Sequence, residues 1–349
     1  MRLSAPYVIA ALALVASPAM AQTDGHRIVL RDLVPTPGSG AYQGRNNGPE
    51  QTERFSRKVK IGRDGRFSLS NISGDIVVTA GSGDEVSIEA VKRTRGDRSE
   101  LANLQISIDD RAGRVDVRSE YEPNRTDRNR RNSVSVDYTV TLPASTSADL
   151  HSVSGSVKVT GVHGSLRAEP VSGDVTITDA PRLEGAKTVS GDLSLTGVTA
   201  DGDLTASSVS GNVRAKGLKA RGLDLGSVSG DINVSDVTCE RLGVKSVSGS
   251  VEYAGGIARG GRYEINTHSG TVRLLLANPA GFELNGNSFS GSIRSELPLT
   301  IGGDSARRND GPRGRRDAAD NHSMRATFGD GSATIVVRTF SGDIIIAKR

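Results

Sequence analysis

The amino-acid sequence predicts an all-β protein: a single-stranded β-solenoid or β-helix with rungs of about 18–21 residues, preceded by longer antiparallel or capping strands. Three observations support this class. A short phrase, aliphatic–Ser–Gly–Asp or Ser–aliphatic, recurs along the second half of the chain. Its glycines are separated by 18 to 21 residues, a period typical of stacked repeat units. Glycine is abundant (42 residues) and tryptophan is absent, which fits many tight turns between short strands.

Residues 1–21 have the pattern of a signal peptide. Arg2 supplies a positive charge, residues 8–15 are apolar, and residues 19–21 (Ala-Met-Ala) match a signal-peptidase site. The apolar run is too short for a stable membrane span. We therefore expect an exported protein that is not membrane-spanning, with an uncleaved N-terminal anchor as the alternative. Residues 22–54 are rich in proline, glycine and asparagine, which predicts a disordered linker.

Residues 55–150 are predicted to form the N-terminal β-rich part of the solenoid domain. Apolar and polar residues alternate there with the period of two that is typical of half-buried strands, most clearly at Val134, Val136, Tyr138 and Val140. These strands are longer than those that follow. Residues 125–132 are basic and predict a solvated hairpin tip.

Residues 151–349 contain the β-solenoid repeats. The glycines of the phrase are Gly155, Gly173, Gly191, Gly211, Gly230, Gly249, Gly270 and Gly291. Because one rung cannot bury its own apolar face, stacked rungs should turn equivalent positions into continuous internal columns. We expect the apolar residues on both sides of the glycine to point inward, including the column two residues before it: Val153, Val171, Val189, Val209, Val228, Val247, His268 and Phe289.

The remaining residues of the phrase are predicted to shape the turn. Glycine suits a corner where φ is positive, and the following Asp, Asn or Ser can accept hydrogen bonds from turn amides and form a polar ladder. Residues 302–323 interrupt the pattern with arginine, glycine and aspartate, which predicts a disordered basic insert. The last copy of the phrase carries Phe340, and Phe289 and Phe340 are expected to close the end of the stack as a cap.

Composition limits the classes of partner. The formal net charge is +4, with both signs mixed along the chain, so we predict no nucleic-acid binding, which requires a concentrated basic stripe. The only cysteine, Cys239, lies in an alternating stretch and is predicted to be a small buried residue.

The sequence predicts no catalytic, cofactor-binding or metal-binding residues. The carboxylates that follow the glycines could bind calcium if they stacked, but the calcium β-roll pattern is absent and a polar turn ladder is favoured. No two histidines have metal-ligand spacing, and no serine has an evident base. His268 replaces valine in its column, which we interpret as a rung near the end where the column is partly open.

The chain from about Phe67 to its C-terminus resembles the bacterial putative-adhesin family, exported β-strand-repeat proteins whose domain has no known function. The resemblance rests on residues 71–76 (Asn-Ile-Ser-Gly-Asp-Ile), residues 135–143, the serial Val-Ser-Gly-Asp phrases and the ending at residues 338–344. It implies the solenoid fold and provides no catalytic residues.

These observations favour an exported, non-enzymatic β-solenoid that acts as an adhesin or as a structural or interaction module of the envelope, in the periplasm or at the cell surface. A polysaccharide-binding module is the first alternative, with the basic insert retaining anionic polymers. A carbohydrate-active β-helix enzyme is the second. The sequence does not identify the partner; we consider a cell-envelope protein and a polysaccharide.

Overall fold

The structure is a computed structural model that describes residues 49–62, 64–121, 134–277, 279–301 and 322–349. The predicted signal peptide (1–21), most of the predicted linker (22–54), the basic loop at 125–132 and residues 302–321 of the basic insert lie outside these ranges. None of the described helices is long and apolar enough to cross a membrane.

The N-terminal part contains seven strands and one short 3₁₀ turn. Their bounds are β1 (Gln51–Lys60), β2 (Arg66–Ser73), β3 (Ile76–Gly81), β4 (Glu85–Thr94), the 3₁₀ turn (Arg98–Asn103), β5 (Leu104–Arg111), β6 (Arg114–Tyr121) and β7 (Ser135–Pro143). The pairs β1–β4, β4–β7 and β5–β6 are antiparallel. The expected antiparallel strands before the repeats are therefore confirmed. At 6 to 10 residues the N-terminal strands are longer than the repeat strands of 3 to 5 residues, but not longer than the alternating repeat strands of 7 to 11 residues. Strand β1 begins at Gln51, inside the range predicted as linker.

Apart from two strands near the C-terminal end, Thr300–Ile301 and Ser323–Phe328, which pair antiparallel, the remaining strands pair in parallel. They are β8 (Ser147–Ser154), β9 (Val157–Thr160), β10 (Leu166–Ser172), β11 (Val175–Thr178), β12 (Leu183–Ser190), β13 (Leu193–Thr196), β14 (Asp203–Ser210), β15 (Val213–Lys216), β16 (Lys219–Ser229), β17 (Ile232–Ser235), β18 (Thr238–Ser248), β19 (Val251–Gly255), β20 (Arg262–Ser269), β21 (Val272–Leu276), β22 (Phe282–Ser290), β23 (Ile293–Ser295), β24 (Thr300–Ile301), β25 (Ser323–Phe328), β26 (Ala333–Ser341) and β27 (Ile344–Lys348).

The strands form two long sheets. Sheet A has the order β1-β4-β7-β3-β9-β11-β13-β15-β17-β19-β21-β27-β23, and sheet B has the order β24-β25-β22-β26-β20-β18-β16-β14-β12-β10-β8-β2-β6-β5. Each rung contributes one strand to sheet B, turns at the phrase's glycine, and contributes the next strand to sheet A. Equivalent residues of successive rungs pair in register, as Val157 does with Val175 and Val175 with Leu193. The predicted β-solenoid is confirmed.

The order of the last two rungs in space differs from their order in sequence. Strand β26 pairs in parallel with β20 on one side and with β22 on the other, so the final rung of the chain is inserted inside the stack. Strand β25 then covers the outer edge of β22 as an antiparallel neighbour. Column alignment cannot reveal this order, because it places a residue in a column without specifying its neighbours.

The core is made of continuous apolar columns between the two sheets. The columns two and four residues after the glycine are buried as predicted, for example Val175 and Ile177, and so are the columns five and seven residues before it, for example Ala168 and Leu166. Cys239 is buried, which confirms that prediction. Burial of its thiol raises the pKa of Cys239 to about 11.

The prediction for the column two residues before the glycine is wrong. Its valines do not point into the core; they are 42–53% exposed, and Phe289 is 70% exposed. The position three residues before the glycine is buried instead, and it carries a small polar residue such as Thr188 or Ser208. The strand alternation ends at that position, so the next two residues both face outward before the chain turns at the glycine.

Candidate functional site: an exposed apolar ladder at one corner

The corner between the sheets requires glycine. Nine of the column glycines have a positive φ, between 110° and 157°. Residues with a side chain avoid this region. A Cβ atom added at Gly230 would lie 2.5 Å from the carbonyl carbon of Gly211 in the preceding rung. The backbones of successive rungs thus approach each other too closely at this corner for any side chain.

A polar ladder holds the outer side of the turn. Asp174 Oδ1 accepts a hydrogen bond from the backbone N–H of Asp192 at 2.8 Å, and Asp192 Oδ1 accepts one from Asn212 N–H at 2.9 Å. Asn212 continues the series to the N–H of Asp231 at 3.0 Å. The hydrogen bond from Arg214, and then that from the Asn212 amide, lowers the pKa of Asp192. This confirms the predicted turn ladder, in which the carboxylates satisfy backbone amides.

Buried hydroxyl groups hold the inner side of the turn. Thr188 Oγ1 donates a hydrogen bond to the carbonyl oxygen of Gly173 at 3.1 Å. Ser208 makes the equivalent contact with the Gly191 carbonyl at 3.0 Å. These bonds fix the residue three before the glycine inside the stack, and they leave the following residue no inward position.

The residue that follows forms the candidate site, which we name the corner ladder. In spatial order along the stack it consists of Ile72, Val153, Val171, Val189, Val209, Val228, Val247, His268, Phe340 and Phe289. Ten rungs at a spacing of about 4.8 Å give it a length of roughly 43 Å. The valines and phenylalanines are among the most exposed large apolar residues of the described chain.

A column of serines runs beside the corner ladder on its glycine side. Every rung has a serine at this position: Ser73, Ser154, Ser172, Ser190, Ser210, Ser229, Ser248, Ser269, Ser341 and Ser290. These serines pair in register from rung to rung. The two columns together contain no Asp, Glu, Lys or Arg, so they make a continuous uncharged strip.

Aromatic rings occupy one end of the corner ladder. The His268 and Phe340 rings stack with centroids 4.9 Å apart and planes 8° apart, and Phe340 and Phe289 stack at 4.8 Å and 7°. The sequence interpretation of His268 was therefore wrong in its reason, because the whole column is open and not only its last rungs. The phenylalanines line the exposed corner and do not cap an internal column.

The two flanks of the strip differ in charge. On the serine side, the column after the glycine carries five aspartates: Asp75, Asp174, Asp192, Asp231 and Asp343. On the opposite side, the column four residues before the glycine carries exposed Lys187, Lys245 and Arg338, against one acidic residue, Glu169. The column after the glycine is thus acidic, and the column four residues before it has a net positive charge. The acidic column is partly neutralised by its own chain, since Arg214 contacts Asp192 at 2.6 Å.

Titratable side chains of the described residues form surface ion pairs and core hydrogen bonds. They include no group of three or more His, Cys, Asp or Glu side chains that could hold a metal ion. His151 contacts the Asp149 carboxylate at 3.0 Å and His163 lies 3.7 Å from the Asp179 carboxylate, both on the surface. The buried hydroxyl of Tyr138, whose pKa burial raises to about 12, hydrogen-bonds Ser119 inside the core.

Comparison with known proteins identifies the family. The profile of the family described as Toastrack DUF4097 matches residues 67–347. The chain belongs to the Toastrack family. The matched range contains all ten rungs, so the repeats and their corner belong to the Toastrack domain. No curated protein matches the chain.

Solved structures similar to this Toastrack protein include two bacterial proteins. A putative adhesin from Bacteroides fragilis is 14% identical, with 84% of this chain and 97% of that chain covered and a TM-score of 0.39. A putative cell adhesion protein from Clostridium sporogenes is 11% identical, with 86% of this chain and 100% of that chain covered and a TM-score of 0.23.

Proposed function

We propose that this Toastrack protein is an exported, non-enzymatic interaction module of the cell envelope, and that the corner ladder is its contact surface. The exposed apolar ladder is the observation that carries this proposal. Monomeric soluble proteins rarely leave long contiguous apolar patches in water, and such patches mark interaction sites. The adhesin descriptions of similar solved structures agree with this class of function.

Two further parts of the proposal concern location. The pattern of residues 1–21 supports export, and the periplasm or the cell surface is the proposed destination. Cell fractionation of the complete chain and of a chain that lacks residues 1–21 tests this part. The complete chain should be found outside the cytoplasm and the shortened chain inside it. Equal cytoplasmic retention of both chains contradicts export.

A matched pair of variants tests the contact surface. The ladder-charge variant carries Val189→Lys and Val228→Lys on the corner ladder. The face-charge variant carries Thr205→Lys and Asn233→Lys, which add the same charge at exposed positions on the outer faces of sheets B and A. Both variants change only exposed side chains, so both should fold as the parent does.

The assay measures binding of envelope fractions to each immobilised protein. The parent and the face-charge variant should retain envelope material, and the ladder-charge variant should lose most of it, because a lysine ammonium group resists burial against an apolar partner. Equal retention by all three proteins contradicts the proposal. Treatment of the fractions with protease or periodate then shows whether the retained partner is a protein or a polysaccharide, and release of cleaved polymer would contradict the non-enzymatic assignment.

A further inference from the structure

We propose that the partner of the corner ladder is a second copy of this chain, and that two stacks pair side by side and parallel around a two-fold axis that runs along the stacks. This inference rests on the proposed function in one respect, namely that the corner ladder is a contact surface. It adds the identity of the partner and the orientation of the pair.

The uniformity of the corner ladder makes it self-complementary. A two-fold interface brings the same surface patch of both subunits together, so each residue must tolerate its own copy or a close equivalent as a neighbour. The strip meets this requirement because it contains no Asp, Glu, Lys or Arg, and because it repeats valine and serine at the rung spacing over six successive rungs. Two such strips can lie against each other without burying an unpaired charge.

Charge on the flanks favours the parallel orientation. A two-fold axis along the stack places the aspartate column of one copy opposite the lysine and arginine column of the other, so Asp192 lies level with the second copy's Lys187 and Asp343 lies level with its Arg338. Asp192 also contacts Arg214 of its own chain at 2.6 Å and Arg338 contacts its own Glu264 at 3.2 Å, so the contacts across the axis add to existing ion pairs. An antiparallel pair places the two aspartate columns opposite each other, which like-charge repulsion disfavours. Only the Glu169 rung opposes this preference, where Asp174 would face a carboxylate.

The aromatic end selects the same orientation. In a parallel pair, the stacked rings of His268, Phe340 and Phe289 meet the same rings of the second copy. In an antiparallel pair these three rings lie opposite Val171, Val153 and Ile72, at the other end of the strip. Contacts between aromatic rings stabilise beyond the area that they bury, so the parallel pair gains ring–ring contacts that the antiparallel pair lacks, and it covers Phe289, the most exposed apolar residue of the strip.

The area of the strip is enough for a reversible dimer. Two phenylalanines at 70% and 48% exposure and six half-exposed valines offer on the order of 500 Å² of apolar surface per copy. Pairing therefore buries about 1,000 Å² from both copies before the flanks are counted, which lies at the lower limit of specific interfaces. This area predicts a dimer that dissociates on dilution.

Sedimentation velocity over a concentration series tests the proposal on the complete chain. The parent and the face-charge variant should shift from monomer to dimer with the same dissociation constant. The ladder-charge variant should bind itself at least about tenfold more weakly, because its lysines face their own copies across the axis. A parent that stays monomeric at every concentration overturns the proposal, and so does a dimer that the ladder-charge variant leaves unchanged.

Cysteine cross-linking tests the orientation. A short bismaleimide should join two copies of the Ser269→Cys variant, because the parallel axis places each serine beside its own copy; the native Cys239 is buried and does not interfere. A mixture of the Ser172→Cys and Ser269→Cys variants should give only same-site products. A mixed-site product shows an antiparallel pair and overturns the proposed axis.

The two proposals can fail separately. A monomeric parent whose envelope binding is still lost in the ladder-charge variant refutes the dimer and leaves the contact surface intact. If the parent instead binds neutral phosphatidylcholine vesicles through the corner ladder and stays monomeric, a lipid surface replaces the second copy. A dimer that forms while all three proteins retain envelope material equally supports the second copy and refutes the envelope role of this surface.

Discussion

Substitution of Gly230 by alanine should unfold the stack far more readily than substitution of a glycine outside the corner column. Its φ of 150° lies in a region that is essentially restricted to glycine and costs other residues about 1–3 kcal/mol. The new methyl group would also lie 2.5 Å from the carbonyl carbon of Gly211 and 3.1 Å from the nitrogen of Asn212. Relief of that overlap requires the rungs to separate, which adds about 1–3 kcal/mol.

Gly197 provides the matched control for this prediction. It also has a positive φ, 62°, but an added Cβ would meet nothing within 4 Å. Its replacement by alanine should cost only the left-handed conformation, about 1–2 kcal/mol, partly offset by the lower entropy of the unfolded chain. The entropy effect is the same in both variants, so the Gly230→Ala variant should be less stable than the Gly197→Ala variant by about 2–3 kcal/mol, the difference between the centres of the two ranges.

Chemical denaturation followed by far-ultraviolet circular dichroism measures this difference. The denaturation midpoints of the parent and both variants give the ranking directly if the slopes agree. Equal midpoints for the two variants would refute the account of the corner, because they would mean that the backbones of adjacent rungs do not meet at the glycine column.

Three more predictions concern the phrase around Gly230 and its equivalents. The Ile232→Asp change should lower the free energy of unfolding by about 4 kcal/mol or more, because it places an unpaired charge in a fully buried column. Val228→Asp at the exposed corner should lower it by about 0.5 kcal/mol or less. Denaturation midpoints measure both changes. Replacement of Thr188 by valine should destabilise the fold by about 1 kcal/mol, because it removes the hydrogen bond to the carbonyl of Gly173. The buried hydroxyl of Thr267 has no partner in the described structure. Its replacement by valine should therefore be neutral or slightly stabilising in thermal melts. Hydrogen bonds lower the pKa of Asp192 in the folded state, so its carboxylate stabilises the fold at pH values above its unfolded-state pKa of about 4. The stability difference between the parent and an Asp192→Ser variant should therefore shrink as the pH falls through the folded-state pKa. A difference that stays constant with pH would contradict that role.

The architecture could be predicted from the sequence because the same pattern of apolar and polar residues occurs in every repeat. Equivalent positions recur every 18 to 21 residues, and a column of similar residues has a simple physical cause in stacking. Leu166 and Ala168 before Gly173, and Val175 and Ile177 after it, were placed correctly because alternation within each strand agrees with column composition.

The error at Val171 has a clear origin and a signal that could have prevented it. Leu166, Ala168 and Pro170 lie on one side of strand β10, and all three are buried. Alternation from this series puts Val171 on the opposite side, in agreement with its 49% exposure. Hydrophobicity alone suggested an inward position, and the count along the strand would have corrected it.

Other features depend on contacts that a single sequence does not encode. Strand β26 lies between β20 and β22. The sequence does not predict this order, because the rungs carry similar residues at equivalent positions and several orders would align the same columns. The hydroxyl bonds of Thr188 and Ser208 could not be foreseen either, because a buried threonine and an exposed threonine look alike in a polar phrase. The stacked rings at His268, Phe340 and Phe289 became visible only when the rung order was known.

The most direct test of the central claim measures which side of the stack the corner residues face. The Val209→Cys and Val213→Cys variants place thiols two residues before and two residues after Gly211, in protein dilute enough to be monomeric. In the native state the first thiol should react with a maleimide as fast as an exposed cysteine does, and the second should react only after unfolding, because Val213 is fully buried. Protection of both thiols in the native monomer would contradict an exposed corner ladder.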